Sequence, residues 1–335
     1  MKQRLKNLLK NLALSAVTFL LCFAVLEITL RCFGYGNLEI YQADPKLYWK
    51  LKPNQDCFTK VDHKPVHINS HGTRGPEFQI EKPADTIRIL SLGDSSTFGW
   101  GLKEEETYSR LLEKSLQAKI GTKKKVEVIN AGVNAWSYLQ MEVYLRDYGL
   151  KFKPDFVILA EANPWTQFSE NNSPEFVKAF MWRVRLKNFL RHFAAYHYFI
   201  EVKLQSFYLE HREKFIPIDP KTDTLFKEQQ QKNPDAIFKE AIKKTCQIAI
   251  ENHAKPIMIF TPLLPDLQTG KESSIIVSKR EVSRELNVPL VNLISDLKPE
   301  GKALYFEADN AHLNVRGNQI VAARLFETMT NLMQP

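Results

Sequence analysis

Ile87-Arg88-Ile89-Leu90-Ser91-Leu92-Gly93-Asp94-Ser95-Ser96-Thr97-Phe98-Gly99 is the stretch that decides the fold. An apolar run of strand length stops on Gly-Asp-Ser, and a short helical pattern follows. In an α/β protein the carboxyl ends of parallel strands open onto the ligand crevice, so Ser95 is expected there beside a helix N-terminus. A nucleophile fits that place. So does a tight strand-to-helix turn capped by Asp94, and the segment alone does not separate the two.

Working outward, strand-like runs at 87–92, 126–130, 156–160, 257–261 and 289–293 alternate with helical patterns near 106–120, 137–149, 235–253, 275–287 and 313–333. Strands alternating with helices predict a doubly wound, flavodoxin-like α/β fold: a five-stranded parallel sheet with helices on both faces. Three further segments carry candidate site residues. Val126–Ala135 runs through Gly132, Asp155–Asn163 ends on an asparagine, and Asp309 stands three residues before His312 at the start of the last amphipathic helix. All of them fall beyond strand ends or before helices, by periodicity and turn residues alone.

The order and setting of these blocks resemble the SGNH (GDSL-type) hydrolase family, in a membrane-anchored form. The resemblance runs from about Arg88 to the C-terminus. Residue by residue it implies Ser95 as nucleophile, His312 as general base and Asp309 as its partner, with Ser95, Gly132 and Asn163 as the oxyanion hole and Gly93 and Asp94 in support. Ile68-Asn69-Ser70-His71-Gly72-Thr73-Arg74-Gly75-Pro76-Glu77 also looks like a lead-in of anchored members, and its sequence suggests no mechanism. The chain departs from the family in the third block, where Gly-x-Asn-Asp is replaced by Glu161-Ala162-Asn163-Pro164. That predicts a reshaped rim; Glu161 is read as a rim or solvated residue in preference to a second acid.

The chemistry follows from the residue types. A serine hydroxyl needs a base to take its proton as it attacks a carbonyl, and a neutral imidazole suits that task. A carboxylate on the other ring nitrogen fixes the tautomer and stabilises the imidazolium. The remaining histidines are read as structural or surface residues. No His-rich or Cys-rich cluster has metal-ligand spacing, so neither a metal nor any other cofactor is expected.

The N-terminus addresses the chain to a membrane. Lys2, Arg4, Lys6 and Lys10 precede Leu12–Leu30, which is apolar apart from Ser15, Thr18, Glu27 and Thr29. That is close to the ~20 residues needed to cross a bilayer, and the basic flank marks the cytoplasmic side. An uncleaved anchor is preferred to a cleaved signal because no small-x-small site follows the apolar run. Glu27 is awkward within the span and is expected to reach the interface or pair with Arg31. Residues 1–33 are thus read as basic flank and anchor, 34–86 as a lead-in and 87–335 as the hydrolase-like domain, extracytoplasmic in location. Cys22 is in the span and Cys32 at its end, which leaves Cys57 and Cys246 in the extracytoplasmic part, where disulfide and free thiols both stay open.

One helical insertion, about 172–216, interrupts the alternation. Phe176, Phe180, Val184, Phe189, Phe193, Ile200, Leu204 and Phe207 recur near helical spacing among Lys178, Arg183, Arg185, Lys187 and Arg191. The expectation is a helix pair packing its aromatic face on the domain; a lid, or a helix resting on anionic headgroups, is the alternative. The net charge of +8 draws on the cytoplasmic flank and this insertion. With no nucleic-acid motif present, nucleic acid is not expected as a partner.

Three functions stay open at this level. The leading one is a serine esterase removing acyl groups, acetyl by family habit, from an envelope glycan or lipid. The others are an O-acyltransferase using the same residues and a non-catalytic envelope binding or assembly protein. Oligomeric state is not legible.

Overall fold

The computed structural model describes residues 2–59, 63–163, 167–170, 172–204, 207, 234–270, 272–307 and 309–333. Nine strands are described: β1 (Tyr41–Asp44), β2 (Tyr48–Leu51), β3 (Gln55–Phe58), β4 (Pro65–Ile68), β5 (Thr86–Gly93), β6 (Lys125–Gly132), β7 (Phe156–Leu159), β8 (Lys255–Phe260) and β9 (Leu290–Asn292). The last five form one sheet in the order β6-β5-β7-β8-β9, all parallel. This is the doubly wound, flavodoxin-like order, in which the chain reverses direction of winding after the second strand and leaves a crevice at the first.

Alternation along each strand builds both faces. Ile89, Val128, Ile158, Ile257 and Ile259 face Leu112, Leu116, Val321, Leu325 and Met329 of the Tyr108–Ile120 and Val315–Leu332 helices. Their neighbours Leu90, Ile129, Val157 and Met258 face Met141, Tyr144, Phe238, Ile242 and Cys246 on the other side. Strands buried on two faces read as unbroken apolar runs, which is why they stood out in the sequence. A buried charged pair interrupts the run. Arg88, fully buried in β5, donates to Glu127 on β6 at 2.7 and 2.9 Å and to the carbonyls of Gln79, Ile80 and Phe152.

The lead-in forms two antiparallel hairpins, β1–β2 and β3–β4. Arg74 then bridges Asn130 antiparallel, fastening the lead-in to the outer edge of β6. From the insertion, Pro174–Arg191 is a helix, Ala194–Tyr196 a single turn and His197–Leu204 a π-wound segment. Val177, Phe180 and Val184 pack on the core, as expected of the aromatic face; the stretch 208–216 lies outside the described residues. At the N-terminus one helix, spanning Gln3–Cys32, is long and apolar enough to cross a membrane. All four cysteines are free thiols, and burial pushes Cys57 and Cys246 up to about 12, away from thiolate chemistry.

Candidate active site

Beyond the C-terminal end of β5 the chain turns at Asp94 into the short Ser95–Phe98 helix. Gly93 is required there by space: a Cβ would stand 1.9 Å from Thr97 Oγ1. Asp94 caps the turn, its Oδ1 accepting from Ser96 N–H at 2.9 Å, and its own N–H donates to the Glu161 carbonyl at the end of β7. Ser95 Oγ lies 2.7 Å from His312 Nε2, and His312 Nδ1 lies 2.6 Å from Asp309 Oδ2. The other Asp309 oxygen accepts from the N–H groups of Ala311 and His312 at 2.6 and 3.1 Å. Burial works against the Asp309 carboxylate, but these hydrogen bonds and the His312 ring outweigh it and hold the group below its ordinary range. Trp100 lies over the imidazole, ring centroids 4.4 Å apart. Segments 217 residues apart in the chain thus converge on one proton path.

Asn163 reaches the same place. Its amide donates to Asp94 Oδ2 at 3.0 Å, and it lines a cleft together with Ser95, Ala135 and His312. The Asp94 carboxyl is raised to about 6, chiefly by burial, against the opposing pull of the Ser96 N–H and His312.

Gly132 does not face the cleft as expected. Its N–H donates to Asn130 Oδ1 at 3.0 Å, and a Cβ would sit 2.2 Å from Phe98 N. The glycine is there so that the Ser95–Phe98 turn can press against β6. Three residues on, Ala135 holds a left-handed backbone at φ 65 and lines the cleft, and among the described residues its N–H has no acceptor. An alanine in the left-handed region is uncommon and carries no mark in the sequence, so Ala135 becomes visible only in the fold.

Glu161 is likewise not a solvated rim residue. Oε1 accepts from Lys279 Nζ at 2.8 Å and from Thr261 N–H at 3.0 Å, and Oε2 from the Tyr138 hydroxyl at 3.2 Å. Lys279, fully buried, also donates to the carbonyls of Ala160 and Ile259. The ion pair fills the space behind the strand ends that carry Asp94 and Asn163. Pro164, the other departure in this block, lies outside the described residues.

The lead-in has a mechanism after all. Asn69 Oδ1 accepts from the N–H groups of His71 and Thr73, and its amide donates to Thr73 Oγ1 and the Pro76 carbonyl, shaping the loop that carries Arg74. From that loop the buried Arg74 guanidinium donates to the carbonyls of Phe98, Gly99 and Leu102, each at 2.7 Å. It closes the far end of the turn that begins with Ser95.

The cleft has a volume of about 420 Å³. Trp49 and Tyr41 of the lead-in and Phe180, Val184 and Asn188 of the insertion, packed on one another, line it together with Ser95 and His312. The lead-in and the insertion lie outside the five-stranded sheet, and both contribute to the wall. Among the described residues no cluster of His, Cys, Asp and Glu is arranged to hold a metal ion.

Fold and site define a serine–histidine–aspartate arrangement at the carboxyl edge of a doubly wound parallel sheet. No family model and no curated protein matches the sequence. Among solved structures the chain is similar to TesA, with 14% identity and a TM-score of 0.47 over 73% of this chain and 99% of that one. It is also similar to the acetyl xylan esterase AlAXEase (18%, TM-score 0.44, 72% and 99% covered). A third is the lipase/acylhydrolase from Enterococcus faecalis (15%, TM-score 0.45, 74% and 98% covered).

Proposed function

We propose that this chain is a membrane-anchored serine ester hydrolase that works through an acyl-serine intermediate on ester groups, acetyl in the first instance, of an envelope glycan or lipid. The observation that carries the reading is the relay Ser95 Oγ to His312 Nε2 at 2.7 Å and His312 Nδ1 to Asp309 at 2.6 Å. His312 takes the serine proton as Oγ bonds to the ester carbonyl carbon, then returns it to the leaving alkoxide as the C–O bond breaks. Water attacks the acyl-serine in the same way, and the acid departs. The oxyanion meets the Ser95 N–H, the Asn163 amide and, in place of Gly132, the Ala135 N–H; the cleft lining supports this assignment. The Gln3–Cys32 helix supports the anchor, and the basic flank before it supports an extracytoplasmic catalytic domain.

Labelling of the detergent-solubilised chain with a fluorophosphonate tests this reading. Labelling that is lost in Ser95→Ala and strongly slowed in His312→Ala is expected; label independent of Ser95 would return the chain to a binding role. Once labelling holds, release of acetate from a small aryl acetate, with and without added oligosaccharide, separates hydrolysis from transfer to a sugar hydroxyl.

A further inference from the structure

The outer end of the N-terminal helix does not leave the domain free on a tether. Phe23, Glu27 and Leu30 form one helical stripe, and that stripe is covered by the insertion. Glu27 accepts from the N–H groups of Ala194 and Ala195 at 2.8 and 3.1 Å, Arg31 donates to the His192 carbonyl at 2.6 Å, and Phe23 meets Phe193 edge-on at 5.8 Å between ring centroids. The acid that was awkward inside an apolar span is therefore a helix cap for the segment that follows Arg191.

This contact fixes depth. Phe23 lies seven residues inside Leu30, about 10 Å along the axis at 1.5 Å per residue. Phe193, packed on it, sits at the same level. Beside the exposed polar groups of His192 and Arg31, a run of apolar residues is exposed on either side of Phe193 in the chain. Trp182, Leu186 and Phe189 share the outer face of the Pro174–Arg191 helix, and Phe199, Ile200 and Leu204 follow, each between 40% and 61% exposed. Lys178, Arg183 and Arg185 are exposed beside them. Apolar residues at acyl depth with a basic fringe describe an element lying in a bilayer interface, which such helices enter by about 5–10 Å.

We infer that the insertion is a second membrane-contacting element, seated in the outer boundary of the bilayer that the N-terminal helix spans, with Trp182, Leu186, Phe189, Phe199 and Leu204 in the acyl region and Arg183 and Arg185 at the headgroups. The inference rests on the anchor in the proposed function but not on the hydrolase activity. Its occupant is lipid, because the surface is continuous with the span itself. One consequence concerns the cleft. The inner face of the same helix supplies Phe180, Val184 and Asn188 to the cleft wall, so the cleft stands at the membrane surface and faces esters carried by molecules held in that leaflet.

The test uses the full chain in lipid nanodiscs made with phosphatidylcholine brominated on its acyl chains plus phosphatidylglycerol. Bromolipid should quench part of the tryptophan emission, Trp182→Phe should remove most of the quenchable part, and Phe199→Trp should add a new quenchable component. A chain that incorporates but whose quenching is unchanged by both substitutions would overturn the inference while leaving the anchor and the esterase standing. A chain that does not incorporate would overturn the anchor and this surface together. Neither result touches the fluorophosphonate experiment.

Discussion

Arg74 Nη1 lies 2.7 Å from the carbonyl oxygen of Gly99, the residue that closes the turn opened by Ser95. A guanidinium from the lead-in thus holds three carbonyls at the end of the turn that begins with Ser95. A lysine has one nitrogen with which to replace two, and each lost charged hydrogen bond costs about 1.5–3 kcal/mol. Arg74→Lys is expected to lower the melting temperature and to slow fluorophosphonate labelling of Ser95 well below that melt. Slower unfolding-independent labelling marks a positioning role; a lower melt with unchanged labelling would restrict Arg74 to stability.

Glu161, partly buried, pairs with the fully buried Lys279, so removing the carboxylate strands a buried charge. Glu161→Gln should destabilise the fold by about 3–5 kcal/mol, and Glu161→Gln with Lys279→Met should recover most of that loss. Denaturant unfolding of the two single variants and the double variant closes the cycle. Additive losses would show that the two side chains do not act as a pair.

The proposed proton relay and the proposed oxyanion donors make separable predictions. Asp309→Asn leaves the shape but presents the wrong donor to His312, and kcat should fall roughly 10³–10⁴-fold. Asn163→Ala removes one oxyanion donor and should cost about 10²–10³ in kcat with KM little changed. Steady-state hydrolysis of an aryl acetate measures both. A rise in KM alone for Asn163→Ala would assign the amide to ground-state binding.

Asp94 ties the site to pH. Its folded-state pKa of about 6 lies above the ordinary 3.8, so the folded chain takes up the proton first. Stability from this group is gained as pH falls through 6 and lost as pH rises back through it. Between pH 7 and pH 4.5 the gain is about 2 kcal/mol at 1.36 kcal/mol per unit. Unfolding at the two pH values should show the native chain gaining on Asp94→Asn by that amount on acidification; parallel profiles would refute it.

Much of the molecule was legible before any coordinates. The five parallel strands, their helices and the positions of Ser95, Asp309 and His312 depend on local patterns: apolar runs, 3.6-residue periodicity, and turns that follow directly from a strand. Asn163 was legible for the same reason. Gly132 misled because a glycine in a loop can serve a bare N–H or a close packing contact, and only the position of Phe98 tells which. Glu161 misled because its partner, Lys279, stands 118 residues away.

By itself the sequence determined the sheet, the order of its elements and the strand-to-helix turn at Ser95, since each is encoded in consecutive residues whose burial and turn geometry are local. Tertiary structure alone decided what surrounds that turn. Arg74 closing its end, Ala135 beside the serine, Lys279 behind Glu161 and Glu27 capping Ala194 all join segments distant in sequence. Their pairing is set by where packed elements bring buried charges and unpaired N–H groups together, and no spacing along the chain records it.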